Sequence, residues 1–315
     1  MMKLARNIKE IPFDKNSVIT VGTFDGVHLA HQKIISKVID YARERNGRSV
    51  IVTFEPHPRE VITAANDVKL LTTLEERQKL CEKAGIDWFV VIDFNKEFSQ
   101  QSYRDFYVKH IINGIGVSLV VEGYDHHWGR NREGNIEILI QIGKEYGFDV
   151  AKVDQFKFKG VAVNSSMIRN ELMNGNVGNA SELLCRPYTL QGKVVEGDRR
   201  GRLLGYPTAN IDVDSPKKLM PKDGIYFTKV IIDADSYFGM TSIGVRPTFQ
   251  TDGKRTIEVN IFDFDKDIYG CDIQLGFLQR LRDELKFDSA DQLVKQMHQD
   301  KELSLKLQYD YQSKE

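Results

Sequence analysis

No run of apolar residues in this chain is long enough to cross a bilayer. The longest, such as Trp88-Phe89-Val90-Val91-Ile92, fall far short of the roughly 20 residues a membrane helix needs. The N-terminal stretch MMKLARNIKEIPFDK has no continuous apolar core of signal-peptide length. Cysteine is scarce: Cys81, Cys185 and Cys271 are odd in number and far apart, with no C-x-x-C among them. That argues against a disulfide framework and for free thiols in a reducing compartment, so a cytoplasmic protein is expected. Excess charge is missing too, with 44 basic against 45 acidic residues. Without a global field to recruit nucleic acid, anionic substrates must be held by local groups, and neither nucleic acid nor membrane is an expected partner. Neither G-x-G-x-x-G nor G-x-x-x-x-G-K-[ST] occurs anywhere.

What is present is an ordinary globular composition, 41% hydrophobic and 28% charged, over 315 residues, enough for two domains with separate cores. The first half alternates strand and helix. Val18–Val21 reads as a buried strand, followed by helical periodicity from about Leu29. Further strands are expected at Ser49–Phe54, Asp87–Ile92 and Val117–Val121, with helices at Leu74–Ala84 and about Tyr103–Ile112. Strands joined by helical crossovers imply a parallel sheet, hence an α/β, Rossmann-like doubly wound domain. A border falls near Asn179–Pro187, and beyond Tyr188 the texture changes to strands and glycine turns. A closing amphipathic helix from Ser289 to about Tyr309 would use Leu293, Met297 and Leu307 to pack on what precedes it.

Chemistry concentrates at strand ends. After Val21, Gly22 and Gly26 permit a tight turn, and His28 and His31 fall at i and i+3 on the first helical turn. A helix N-terminus outside a strand's carboxyl end suits phosphate, and two imidazoles there can donate to its oxygens. The same pair could be half of a metal site or two incidental surface histidines. In Glu55-Pro56-His57-Pro58 the prolines hold His57 in a loop, where it reads first as a turn residue. Thr73 and Glu76 form a capping box. Ser165 and Ser166 precede a helical run and read as ordinary caps. Gly192, Gly197, Gly201 and Gly205 follow one another through a strand and flap that could cover phosphates, or could be a hairpin with a mobile loop. Thr208 and Asn210 alternate onto one face, where their side-chain oxygens can reach one Mg²⁺. Glu258 alternates away from Ile257, Val259 and Ile261, as a merely solvent-facing carboxylate also would.

Gly22-Thr23-Phe24-Asp25-Gly26-Val27-His28-Leu29-Ala30-His31 closely resembles the G-x-F-D-G-x-H-x-G-H signature of the nucleotidyltransferase superfamily. Over nearly its whole length the chain resembles the bacterial bifunctional riboflavin kinase/FAD synthetase family, with Pro207-Thr208-Ala209-Asn210 matching the P-T-A-N marker of riboflavin kinases. The resemblance implies an N-terminal FMN adenylyltransferase domain over 1–184 and a riboflavin kinase β-barrel with a C-terminal helix over 185–315. It implies riboflavin, FMN and ATP as substrates, Mg²⁺ as cofactor, and FMN and FAD as products. In the first domain it implies Gly22, Thr23, Phe24, Asp25, Ser165 and Ser166 at the nucleotide, with His28, His31 and Arg169 acting on the phosphates. His57, Asp125, His126 and Trp128 are implied at the flavin. In the second it implies Gly197 and Gly201 over the nucleotide, Thr208 and Asn210 on the metal, Glu258 as base, and Arg282 closing over nucleotide or flavin. Two departures, Ala30 for glycine and His126 for phenylalanine, fall in the first domain. They leave a riboflavin kinase with weakened or lost adenylyl transfer as the alternative reading, and a non-enzymatic flavin-binding regulator as a more distant one.

Overall fold

A computed structural model describes residues 1–62, 68–124, 134–197, 201, 204–245 and 255–313. The chain separates into two compact units, Met1–Ser165 and Ser166–Glu315.

The first unit contains strands β1 (Lys3–Ala5), β2 (Val18–Val21), β3 (Ser49–Glu55), β4 (Trp88–Asp93), β5 (Leu119–Gly123) and β6 (Asp149–Val153). They form one parallel sheet in the order β1-β4-β3-β2-β5-β6. Both faces are buried, which is why β2 and β3 carry near-continuous apolar runs. Alternate residues serve opposite layers. Val18, Ile51, Leu119 and Val121 pack with Ile35, Val38, Ile39 and Ala42 of helix α1 (Leu29–Glu44). Ile19, Val52 and Val120 pack with Tyr103, Phe106, Tyr107 and Ile111 on the other side.

Four more helical segments of this unit are α2 (Pro58–Ile62), α3 (Leu74–Ala84), α4 (Tyr103–Phe106) and α5 (Ile136–Tyr146). The expected capping box starts α3, with Thr73 Oγ1 accepting from Glu76 N and the Glu76 carboxylate accepting from Thr73 N. α4 continues as a wider π-helical stretch, Tyr107–Ile115, three residues past its expected end. Gly116, at φ +82, closes that turn and delays the strand, so β5 starts at Leu119 rather than Val117. The chain runs from β2 through β3 to β4 on one side and from β5 to β6 on the other. The topological switch point therefore lies between β2 and β5, where open α/β sheets place their ligands.

A short hairpin, β7 (Lys157–Phe158) and β8 (Val161–Ala162), precedes helices α6 (Ser165–Met173) and α7 (Val177–Leu184). α6 thus includes the seryl pair in its first turn, where the sequence pattern places it ahead of the helix.

The second unit is built on a closed antiparallel barrel: β9 (Tyr188–Val195), β10 (Ala209–Val213), β11 (Gly224–Ile232), β12 (Asp235–Val245), β13 (Arg255–Ile261) and β14 (Asp272–Arg282), in the order β10-β13-β12-β11-β14-β9. Closure leaves no edge strand, and β9 shows the expected alternation, with Tyr188, Leu190, Gly192 and Val194 buried. α7 packs on β9 and β14. Helix α8 (Ala290–Gln312) lies against β12 on a face that includes the expected Met297 and Leu307, with Val294 packing where Leu293 is expected. Val294, Met297, Leu307 and Tyr311 make its apolar contacts, whereas its fully buried positions are Asp300 and Ser304.

One buried acid in the first unit has no counterpart in the sequence reading. Glu122, on β5, is 2% exposed and faces the Tyr103 hydroxyl at 3.4 Å. Burial, helped by the charge of Glu137 and opposed by the Tyr103 hydrogen bond, pushes its carboxyl up to about 8. A folded-state value above the ordinary one means that the folded protein holds a proton the unfolded chain has released. This contribution is fully present below the ordinary carboxylate range and is lost as pH rises through about 8. Glu122→Gln should accordingly flatten the decline of unfolding free energy between about pH 5 and about pH 8, by up to about 1.4 kcal/mol per pH unit. Urea unfolding of both proteins across that range measures it.

Candidate functional sites

The turn after β2 is held in a conformation that its residues would not adopt alone. Phe24 and Val27 have φ of 49° and 40°, beside Gly26 at 88°. Positive φ is unfavourable for a phenylalanine and more so for a β-branched valine, so surrounding contacts must impose it. Asp25, 1% exposed, supplies several. Its carboxylate accepts from Leu71 N (3.0 Å), Thr72 N (2.9 Å) and Thr72 Oγ1 (3.1 Å), and Gly26 N donates to Thr72 Oγ1 at 2.8 Å. Arg77, also 1% exposed, donates to Thr23 O at 2.7 Å, to Thr53 Oγ1 at 3.2 Å and to Glu55 Oε2 at 2.8 Å. The Leu71–Arg77 stretch therefore does more than start α3. Thr72 and Arg77 clamp the turn, a role the sequence reading missed because a capping box already accounted for the pattern. Asp25, expected beside the nucleotide, presents its carboxylate to the Leu71–Thr72 backbone.

That clamped turn delivers the two histidines. His28 is the N-cap of α1 and is 3% exposed; its Nδ1 accepts from His31 N at 3.4 Å. An accepting Nδ1 leaves Nε2 as the ring's donor nitrogen. The two imidazoles stack at 3.6 Å between centroids, 18° from parallel, and Phe24 lies 5.1 Å from His31. Parallel rings aim their in-plane nitrogens side by side, which suits two adjacent phosphate oxygens better than chelation of one ion. Gly22, half-buried at the end of β2, donates to Val52 O at 3.0 Å. Ala30 is the second residue of α1 and half-buried.

Ser165 reaches this turn, its Oγ donating to Asp25 O at 2.9 Å. Ser166 is exposed and Arg169 half-buried in the same helix, α6. His57 is 5% exposed at the start of α2, where its Nδ1 accepts from Arg59 N at 3.2 Å, as a capping residue does. Asp125, His126 and Trp128 lie outside the described residues.

In the barrel the second set converges. Antiparallel register places Asn210 of β10 opposite Glu258 of β13. Thr208, just before β10, donates from Oγ1 to Glu258 Oε2 at 3.2 Å. Two glycines lie against this group: a Cβ on Gly197 would fall 2.0 Å from Asn210 Nδ2, and one on Gly201 would fall 2.3 Å from Tyr206 O and 3.3 Å from Thr208 Oγ1. Thr208, Asn210, Glu258, Gly197 and Gly201 thus share one locality. Asn260, unremarked in the sequence, donates from Nδ2 to Pro207 O at 2.7 Å. Beside Thr208 opens a cavity of about 440 Å³, walled by Val194, Pro207, Ala209, Val259, Ile261, Phe264 and the 265–269 segment.

A magnesium ion would find oxygen donors here, the Thr208 hydroxyl and the Asn210 amide, next to the Glu258 carboxylate, in the hard-donor pattern that Mg²⁺ prefers. Among the described residues no group of three or more His, Cys, Asp or Glu could hold a metal alone. Magnesium that keeps most of its water and binds phosphate needs no such cage. Arg282, expected to close over nucleotide or flavin, is engaged elsewhere. Its Nε donates to both Asp300 oxygens at 3.0 and 2.9 Å, its Nη2 to Asp300 Oδ2 at 2.7 Å, and its Nη1 to Asp283 O at 2.9 Å.

Comparison with known proteins matches two family models: FAD synthetase over residues 10–167 and riboflavin kinase over 184–307. The bifunctional riboflavin kinase/FMN adenylyltransferase of Listeria monocytogenes is 36% identical over 92% of this chain and 91% of its own. The protein of the same description from Bacillus subtilis is 35% identical, with 92% of each chain covered. Among solved structures, a Streptococcus pneumoniae protein described as a macrolide-efflux protein superposes with a TM-score of 0.87 at 32% identity, over 96% of this chain and 98% of that one. Among the described residues here, no helix is long and apolar enough to cross a membrane. With both family models matched in succession and relatives aligned over nearly their full length, this chain belongs to the bifunctional riboflavin kinase/FMN adenylyltransferase family.

Proposed function

We propose that this chain makes FAD in two ATP-dependent steps, phosphorylating riboflavin to FMN in the barrel and adenylylating FMN in the parallel-sheet domain. The functional division falls at 184/185, and the enzyme works in the cytoplasm on these small molecules. The observation that carries the kinase half is the convergence of Thr208 and Asn210, from one segment, with Glu258, some fifty residues away in sequence.

In the kinase step the 5′-hydroxyl of the ribityl chain attacks the γ-phosphorus of ATP, and ADP leaves. Glu258 receives the hydroxyl proton and orients the alcohol, a base that can act late because phosphoryl transfer is mainly positioning and charge stabilisation. Thr208 and Asn210 would hold Mg²⁺, which supplies charge neutralisation at the phosphates when bound. Gly197 and Gly201 allow backbone to approach these groups where any side chain would collide. The apolar walls of the 440 Å³ cavity suit the adenine base.

In the adenylyl step an oxygen of the FMN phosphate attacks the α-phosphorus of ATP and pyrophosphate leaves. His28 and His31, side by side at the N-terminus of α1, donate hydrogen bonds to the charge that builds on the phosphate oxygens. Ser165, at the start of α6, offers a hydroxyl at the same turn. Gly22, Thr23, Phe24 and Asp25 shape the turn under the nucleotide, and Arg169 adds positive charge for the triphosphate. His57 and the Asp125–Trp128 segment serve the flavin.

Separate sites make separable predictions. His28→Ala should lower FAD formation from supplied FMN about a hundred-fold or more and leave FMN formation from riboflavin within about two-fold. Glu258→Gln should do the reverse, stopping FMN formation while supplied FMN still gives FAD. Chromatography of flavin products reads both, and crossed phenotypes would contradict the assignment. Thr208→Val should raise the magnesium concentration needed for half-maximal riboflavin phosphorylation by about ten-fold, with no change in the requirement for FAD formation.

A further inference from the structure

Thr208 can serve a metal and a phosphate only if the backbone that carries it is held still, and its own neighbourhood holds it weakly. Pro207 has no N–H to give to the barrel ladder, and β10 begins only at Ala209. The preceding turn closes on itself, with Leu204 N and Tyr206 N both donating to Gly201 O at 3.1 and 2.9 Å. The fixing contacts come from two other places. From β13, Asn260 donates to Pro207 O at 2.7 Å, standing in for the ladder bond. From α8, His298 Nδ1 shares a 2.6 Å hydrogen bond with the hydroxyl of Tyr206, whose ring is 5% exposed and meets the imidazole at 5.4 Å and 70°.

α8 is itself firmly seated at that point. Arg282 at the end of β14 grips Asp300 with two nitrogens, Gln296 donates to Asp300 Oδ1 at 3.0 Å, and Ser304 Oγ donates to Asp300 O at 2.8 Å. Asp300 is 5% exposed, so the helix cannot slide by a turn without stranding a buried charge. His298, two residues away, therefore presents its ring from a fixed platform. Tyr206 also packs in the cluster of Phe227, Phe238, Met240 and Phe262 that receives α8.

We propose that His298 is a positioning residue for the kinase reaction. Acting through the Tyr206 hydroxyl, and together with Asn260 acting through the Pro207 carbonyl, it sets the place of Thr208 beside Glu258. The C-terminal helix is then part of the phosphoryl-transfer machinery, acting through Tyr206. The inference rests on the kinase reading above.

The test uses the full chain and steady-state riboflavin phosphorylation, with adenylylation of supplied FMN and thermal unfolding as controls on the same preparations. Tyr206→Phe and His298→Leu should each lower kcat for FMN formation by about ten-fold to a hundred-fold, as small misplacements of reacting groups do. KM for riboflavin should stay within about two-fold, and FAD formation from FMN should stay at the native rate. The double variant should be no worse than the weaker single, because both changes break one hydrogen bond. His298→Asn, which keeps a hydrogen-bonding group near the Nδ1 position, should recover most of kcat. A purely structural role would instead lower the midpoint of unfolding and reduce both activities together, and that result overturns the proposal. So does native kcat in either single variant, or losses that add in the double. If the native chain itself makes no FMN from riboflavin, the kinase reading fails; native turnover with unaffected variants refutes the positioning role alone.

Discussion

A buried arginine organises the first unit. At 1% exposure the Arg77 guanidinium has given up its water, and it is tolerated because Glu55 opposes its charge and Thr23 and Thr53 accept its hydrogen bonds. Removing Glu55 would leave the Arg77 charge without its partner in a dry interior, whereas Glu55, on the more exposed side of the pair, would regain water. The groups it joins are the turn after β2, the strand β3 and the loop leading to His57. Asp25 performs the matching task from the opposite direction by accepting two backbone N–H groups of residues 71 and 72. With both in place the turn is locked into positive φ at Phe24, Gly26 and Val27, and the stacked histidines stand ready at the head of α1. Preorganisation of that kind is what an anion-stabilising site needs, since donors already in place do not have to reorganise during reaction.

The second unit solves the positioning problem by different means. A closed barrel fixes which residues face each other, and its register alone sets Asn210 against Glu258. Where proline interrupts the ladder, side chains take over from backbone: Asn260 reaches Pro207 and Glu258 accepts from Thr208. Strands carry Glu258 and Asn210, while Gly197 and Gly201 let backbone approach them where a side chain would collide.

Much of this architecture is written in local pattern. The strand Val18–Val21 and the helix Leu74–Ala84 start and stop where a β-branched, apolar run and the Thr73 capping box place them. The meeting of Thr208, Asn210 and Glu258 follows from period-two alternation once the segments are matched to a family. Other features are illegible because they depend on partners distant in sequence. Nothing near Arg77 reveals that its guanidinium is buried under Thr23, since exposed helical arginines look the same in sequence. At α8 the apolar face is interrupted by Asp300, a charged residue whose burial is matched by Arg282, a partner distant in sequence. The same ion pair engages Arg282, for which the motif suggested a ligand role. Glu122 sits in an apolar strand where an acid reads as a surface residue, yet it lies beneath Tyr103.

The central claim is that one polypeptide carries two independent catalytic centres working in succession. The direct measurement is a time course of the purified full-length chain given riboflavin, ATP and Mg²⁺, with flavins separated by chromatography. FMN should rise first and then fall as FAD accumulates, with pyrophosphate released in step with FAD. FMN that accumulates without any FAD would contradict the account for the parallel-sheet domain, and riboflavin left unchanged would contradict it for the barrel.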